Sequence, residues 1–254
     1  MSEAAAENSL LEEARSLIDL ATSRGVVLRL VGGLAVHVLC PDLPPRSRTG
    51  QDLDFCSIAS SRPGLQQMLA ERGYAADKTF NALYGNKQLY FTHTETGLAL
   101  DVMVDKLEMC HTLDFGSRVA NLPYTLEPLD VLLSKLQIVE LNAKDADDCL
   151  RLLVTYPLAD RAEPGAMDLG FFRGLVVDDW GWWRTVTLNL EKIRLLLDDQ
   201  ERQTLVAAGA LDPDVQLAAL TRAAEDAPKT RRWKLRAKVG ERKRWYEQPE
   251  ETPH

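Results

Sequence analysis

The spacing of apolar residues in the first half of the chain alternates between the periods of helices and strands. Residues 8–24 place apolar side chains at helical spacing before Gly25, which predicts an amphipathic helix. The apolar run 26–32 predicts a buried strand, and the "GLAVHVLC" after it predicts a short helix. A further helix is predicted over 63–72, and further strands are predicted for "DLDFCSI", "KQLYFTHT" and "GLALDVMVD".

From residue 127 the apolar period is helical. Helices are predicted for "EPLDVLLSKLQIVEL", "KDADDCLRLLVTY", about 170–198 and 212–226. This order of elements predicts an α/β (α+β) fold, with a small mixed sheet and flanking helices followed by a helical half. We predict three parts, namely an α/β domain over 1–122, a helical domain over 123–228 and a basic C-terminal tail over 229–254.

The composition is that of a water-soluble globular protein. Of the 254 residues, 45% are apolar and 27% are charged. No apolar run reaches the roughly 20 residues that a membrane span needs, so no membrane contact is expected. The four cysteines include no Cys-x-x-Cys pair, and the N-terminus lacks the basic-then-apolar order of a signal peptide. These features favour free thiols and a cytoplasmic location.

Positive charge is concentrated near the C-terminus. Residues 229–246 contain nine Lys or Arg and one Glu, a net charge of +8 in a chain of net charge −8, so the remaining residues carry −16. With Trp233 and Trp245 as stacking partners, this segment is a candidate RNA-binding tail. The alternatives are a solvated amphipathic helix or a tail packed against the acidic remainder.

Three aspartates interrupt apolar strands. Asp52 and Asp54 share one face of their predicted strand, and Asp101 lies within "LALDVMVD". Each one alone is typical of a solvent contact at a strand end. If the two strands pair, the three carboxylates converge, and a divalent metal such as Mg²⁺ is needed for all to stay ionised. The pattern therefore favours a site for phosphoryl chemistry.

A glycine pair precedes these aspartates. Gly32 and Gly33 end a predicted strand and begin a helix, which brings bare backbone amides and a helix N-terminus together. Such a turn can bind phosphate, although a Gly-Gly pair is more often only a tight turn.

These motifs carry a resemblance to a known superfamily. "VGGLAVHV", "RTGQDLDF" and "LALDVMV" resemble the polymerase-β-like nucleotidyltransferases, with strand-Gly-Gly-helix, Asp-x-Asp and a later strand Asp in that order. Within that superfamily the chain is most similar to the minimal enzymes related to abortive-infection toxins. The segment "LDVLLSKLQIVELNAKDADDCLRLL" resembles their helical Lys-Leu…Lys-Asp-x-x-Asp segment.

The resemblance implies an activity, with 1–122 as the catalytic domain. A nucleoside monophosphate would move from a nucleoside triphosphate to an acceptor, with Mg²⁺ or Mn²⁺ as the cofactor. The implied nucleotide-binding residues are Gly32, Gly33, Arg48 and Lys135. The implied metal ligands are Asp52, Asp54 and Asp101, of which Asp101 is also the base. With Lys135 these carboxylates make up the implied catalytic set, and Asp148 would orient Lys135 or cap the helix pair.

Several alternatives stay open. Lys135 also fits the solvent side of a helix, and the acceptor can be RNA such as tRNA, a protein or a small molecule. The chain can also be a non-catalytic nucleotide-binding or RNA-binding protein of the same fold, or an unrelated α/β binding module.

Overall fold

The computed structural model describes residues 3–44, 52–196 and 199–248, which separate into two compact units. Among the described residues, the first unit contains 3–41, 52–107 and 113–131, and the second contains 42–44, 108–112, 132–196 and 199–248. No helix in these ranges is both long enough and apolar enough to cross a membrane.

The first unit is built on a five-stranded mixed sheet. Its strands are β1 (Arg29–Leu30), β2 (Leu53–Ser57), β3 (Tyr74–Ala76), β4 (Gln88–His93) and β5 (Ala99–Val104). They are ordered β1-β2-β5-β4-β3, with β2 and β5 parallel and the other neighbours antiparallel. The predicted strand over 26–32 shortens to two residues, and the other predicted strands are confirmed.

The helices of the first unit include those predicted near its start. They are α1 (Glu3–Ser23), α2 (Gly32–Leu39), α3 (Arg62–Glu71) and α4 (Lys78–Tyr84), with a 3-10 turn over Ala59–Ser61. Burial alternates residue by residue along β4 and β5, which shows that one face of the sheet is buried and the other is half-exposed. The half-exposed face contains the polar residues on which the site depends.

The first unit extends past the predicted domain boundary at 122. Leu30 forms a bridge with Thr125, and its backbone exchanges hydrogen bonds with Tyr124 and Leu126. The guanidinium of Arg118 also pairs with the buried carboxylate of Asp130. These contacts fix the segment after 122 to the sheet, so the unit continues to residue 131.

The second unit is helical. It begins within α5 (Pro128–Leu136), a helix that starts in the first unit. The helices after it are α6 (Ala143–Thr155), α7 (Leu169–Asp178), α8 (Trp180–Leu196), α9 (Asp199–Ala208), α10 (Pro213–Asp226) and α11 (Arg231–Val239). The remaining short elements are β6 (Lys106–Glu108), β7 (Thr112–Asp114), β8 (Leu158–Ala159), β9 (Met167–Asp168) and a 3-10 turn over Gly240–Arg242. The fold class predicted from the sequence, a mixed sheet with flanking helices followed by a helical half, is confirmed.

Candidate active site

Two of the three predicted carboxylates lie side by side on the half-exposed face of the sheet. Asp54 on β2 is the direct register partner of Asp101 on β5, so both side chains project to the same face of neighbouring strands. Both residues are partly exposed, while Leu53 and Leu100 beside them are fully buried on the other face. Parallel pairing of two apolar strands, each interrupted by one aspartate, therefore brings the two carboxylates together.

The third predicted carboxylate, that of Asp52, lies next to the start of β2. Asp52 lies immediately before β2 and is exposed, two residues from Asp54. Within the described residues, no three His, Cys, Asp or Glu side chains form a group that holds a metal ion by itself. Mg²⁺ is usually bound in proteins by one or two carboxylates together with water and substrate phosphate oxygens. The pair of Asp54 and Asp101 fits that kind of ligand set.

Gly32 lies against the Asp54 carboxylate at the N-terminus of α2. Its φ is +70°, and a Cβ atom added there would lie 2.7 Å from Asp54 Oδ2. The Val31 N–H donates to the Asp54 carbonyl over 3.0 Å, which fixes the start of α2 beside β2. Val31 offers no side-chain cap to the helix, and Gly33 follows within its first turn. A helix N-terminus therefore stands directly beside one of the carboxylates.

Gln88 and Tyr90 on β4 complete this face, and the sequence pattern did not reveal them. The Gln88 side-chain amide donates to Asp101 Oδ1, and Tyr90 is the register partner of Asp101 on the opposite side from Asp54. Asn81 on α4 fixes Tyr90, since its amide donates to the Tyr90 carbonyl and its carbonyl accepts from the Tyr90 N–H. The only sequence signal was the alternation of "KQLY", which becomes informative once the β4–β5 register is known.

Cys56 on β2 is excluded as a nucleophile. Its side chain is fully buried, and burial, followed by the charges of Asp130 and Asp54, raises the pKa of its thiol well above the ordinary value. The thiol therefore stays protonated. The chemistry of this face rests on its carboxylates.

Lys135 belongs to the second unit, where two carboxylates hold its ammonium group. Its Nζ atom lies 3.1 Å from Asp145 Oδ1 and 3.0 Å from Asp148 Oδ2. The side chain is 12% exposed and that of Asp148 is 0% exposed, so Lys135 does not occupy a solvated helix face. Burial lowers the pKa of Lys135, but the charges of Asp148 and Asp145 outweigh it and raise the pKa above its usual value. Lys135 is therefore a buried cation.

The remaining phosphate-binding prediction, Arg48, lies outside the described residues.

The tryptophans of the predicted tail are packed within the second unit. Trp233 on α11 meets Trp183 edge to face, with ring centroids 5.1 Å apart. Trp245 packs edge to face on Trp180, and its indole N–H donates to the Thr185 hydroxyl over 3.0 Å. These rings are engaged in packing, which corrects the expectation that they stack on RNA bases. Within the predicted tail over 229–254, the described residues contain the helix α11, as one of the alternatives expected.

Comparison with known proteins gives partial structural likenesses. No protein-family model and no curated protein matches the chain. The solved structures similar to it include the antibiotic-resistance factor ANT(2'')-Ia, at 12% identity and a TM-score of 0.41, over 57% of this chain and 83% of that one. They also include the lincosamide antibiotic adenylyltransferase LnuA with lincomycin bound, at 18% identity and a TM-score of 0.38, over 56% of this chain and 94% of that one. A tRNA-processing enzyme matches at 12% identity and a TM-score of 0.30, over 85% of this chain and 57% of that one.

Proposed function

We propose that this chain is a divalent-metal-dependent nucleotidyltransferase, which moves a nucleoside monophosphate from a nucleoside triphosphate to an acceptor hydroxyl. The observation that supports this most is the register pairing of Asp54 with Asp101 on the half-exposed face of the sheet. Two carboxylates side by side repel each other unless a cation or a shared proton joins them. A metal ion that brings a triphosphate with it relieves this repulsion.

The carboxylates are proposed as the metal ligands. Asp54 and Asp101 would hold Mg²⁺ or Mn²⁺ from neighbouring strands, and Asp52 would add a third oxygen ligand from the exposed end of β2. When bound, the metal would neutralise phosphate charge and orient the reacting oxygens. The residues fit this role because hard oxygen ligands are what Mg²⁺ prefers.

Gly32 and Gly33 are proposed to bind the triphosphate. The first turn of α2 presents its backbone N–H groups beside Asp54, and Val31 gives them no side-chain cap. Amides at a helix N-terminus favour phosphate oxygens both by hydrogen bonding and through the helix dipole.

Asp101 is proposed as the base. It would accept the proton of the acceptor hydroxyl while the acceptor oxygen bonds to the α-phosphorus and the bond to pyrophosphate breaks. The Gln88 amide, which donates to Asp101 Oδ1, would keep the carboxylate in one orientation. The phosphate contacts of Arg48 and Lys135 and the relationship to abortive-infection toxins stay predictions of the resemblance. The reaction needs only an acceptor hydroxyl, which RNA, a protein or a small molecule each offers.

Transfer of label from nucleoside triphosphates tests the proposal. The protein is incubated with each of the four α-³²P-labelled triphosphates, Mg²⁺ or Mn²⁺, and total RNA, with and without a chelator. We expect metal-dependent transfer, reduced about a hundredfold or more in Asp54→Asn and Asp101→Asn, because loss of a metal ligand should cost at least as much as loss of a residue that supports one.

Asp105→Asn is the matched control. Asp105 directly follows β5 and has a backbone φ of +61°, which asparagine also adopts. Nucleotide binding without transfer by the wild type would favour the non-catalytic alternative. Transfer that survives both site substitutions would show that these carboxylates are not the catalytic site.

A further inference from the structure

The C-terminal segment has a set of cations that its own unit leaves unpaired. Among the described residues of this segment, five exposed basic residues form no ion pair, no side-chain hydrogen bond and no ring contact. We call them the cationic surface; they are Arg231, Lys234, Lys238, Arg242 and Lys243. Four of them recur every three or four residues along α11 and the turn after it, so they follow one side of the helix.

The opposite side of α11 fixes the orientation of this surface. Trp233 faces Trp183, and the Arg236 guanidinium lies 4.7 Å from the ring centroid of Trp180. The Thr230 N–H donates to the Val177 carbonyl over 3.0 Å at the start of the helix.

The anchors of the segment are therefore mainly aromatic rings and backbone groups. Among the residues that the structure describes, Arg232 and Glu241 are the members of the segment that form ion pairs with the rest of the unit, and both pairs are largely exposed. Such exposed pairs contribute little to stability. In the described residues, the segment packs against the rest of the second unit, as one of the alternatives raised by the sequence expects, but mainly through rings and backbone groups rather than through its charges.

The side chains on the exposed side of α11 indicate which class of partner it binds. Leu235 and Val239 are 65% and 41% exposed among the cations, but two aliphatic side chains offer little apolar area for insertion into a membrane. The five point charges extend over roughly 15–20 Å, at a helical rise of about 1.5 Å per residue. A row of cations without a shaped apolar pocket complements a linear polyanion, whose attraction depends on charge rather than on fitted contacts.

We propose that the cationic surface binds the phosphate backbone of single-stranded RNA. Because the tryptophans of the segment are packed inward, binding is expected to be independent of base sequence. The choice of RNA rests on the proposed function, since an RNA end offers ribose hydroxyls as acceptors. The binding itself needs neither nucleotide nor metal, so it can be measured separately from transfer.

Salt-dependent binding of a defined RNA tests the proposal. The probe is fluorescein-labelled U20 RNA, and anisotropy is measured on the full-length protein at 50, 100 and 200 mM NaCl without nucleotide. Five phosphate contacts predict a log–log salt slope of about −3.5, from roughly −0.7 per contact on a single strand. The variant Arg231→Gln/Lys234→Gln/Lys238→Gln should show a slope of about −1.4 and bind roughly a hundredfold more weakly at 100 mM.

The control variant removes the same charge elsewhere. Lys78→Gln/Lys106→Gln/Arg161→Gln neutralises three exposed cations outside the segment and should leave the slope and the affinity unchanged. Equal weakening by both variants, or no binding of U20 at 50 mM NaCl, would overturn the proposal. Binding of dT20 DNA tenfold tighter than U20 would assign the surface to DNA, and binding to vesicles with 30% anionic lipid but not to U20 would assign it to a membrane. If the protein binds RNA with the predicted slope but transfers no nucleotide, the proposed function is overturned and the proposal that the cationic surface binds RNA still holds.

Discussion

At Gly32 the backbone conformation and the packing against a proposed metal ligand both restrict the residue type. A glycine pair at the end of a strand is compatible with an ordinary turn, but Gly32 combines a φ of +70° with a close approach to the Asp54 carboxylate. A side chain here would have to displace the carboxylate or move the start of α2. The glycine is thus required both by conformation and by space.

Substitution at two glycines separates these two requirements. Gly25 has nearly the same φ, +68°, but a Cβ atom there would meet nothing within 4 Å. We expect Gly25→Ala to cost about 1 kcal/mol, the cost of a left-handed conformation, and Gly32→Ala to cost a further 1–3 kcal/mol from crowding. Urea unfolding and the transfer rate are measured for both. Equal destabilisation, with an unchanged transfer rate in Gly32→Ala, would contradict the close packing at Asp54.

Among the elements, α5 and α6 show how a site residue predicted from sequence can have a second role. The Lys135 ammonium on α5 lies between Asp145 and Asp148 on α6. Asp148 is completely buried, and its Oδ2 atom lies 3.0 Å from the Lys135 ammonium. Lys135 therefore stabilises the second unit whether or not it also contacts a triphosphate.

Replacing Lys135 should unfold the protein at lower denaturant. Lys135→Met is expected to reduce the free energy of unfolding by about 3–5 kcal/mol, because the buried Asp148 carboxylate loses the ammonium group that lies 3.0 Å from it. The control is Arg173→Met, which breaks the exposed pair with Asp160 and should leave the free energy of unfolding almost unchanged. Urea unfolding compares the two, and similar small losses would show that the Lys135 pairs contribute no more than a surface ion pair.

The elements also show where sequence patterns are sufficient. The pairing of Asp54 with Asp101 was predictable because both strands are apolar runs interrupted at one position. The predicted helix over 170–198 is instead two helices, because the Asp179 carboxylate accepts from the N–H groups of Gly181 and Trp182 and caps a new start. Apolar period does not reveal such a local cap. The role of Gln88 was equally hidden, since it depends on the register between β4 and β5.

In the whole molecule, charge is separated along the sequence more sharply than the net value of −8 suggests. Residues 229–246 carry +8, and the structure fixes them by aromatic packing within the second unit. A sequence reveals such a charge distribution but not which side of a helix faces outward. The sequence therefore predicts the concentration of positive charge in 229–246, but it does not predict that the tryptophans of this segment face inward.

His111 links the stability of the protein to pH. Burial lowers the pKa of His111 to about 4 against an opposing effect of Asp179, and its ring contacts the Thr185 hydroxyl and Trp182. Because the pKa is lower when folded than when unfolded, His111 favours folding above about pH 6.5, and this contribution is lost as the pH falls towards 4. The full contribution is roughly 3 kcal/mol.

Comparison with a variant isolates this contribution from that of the carboxylates. Urea unfolding of the wild type and His111→Gln is measured from pH 7.5 to pH 4. The difference in unfolding free energy between the two should shrink by roughly 2–3 kcal/mol over that range. A difference that stays constant with pH would mean that His111 is protonated equally in the folded and unfolded states.

Calorimetric titration of Mn²⁺ with a non-hydrolysable triphosphate analogue tests the central claim most directly, because it measures the assembled site without requiring an acceptor. The wild type is compared with Asp54→Asn, Asp101→Asn and the control Asp105→Asn. Two neighbouring carboxylates that share a metal ion predict metal-dependent nucleotide binding that weakens about tenfold or more in each site variant, while the control binds as the wild type does. Binding that is independent of Mn²⁺, or that neither site substitution changes, would contradict the account.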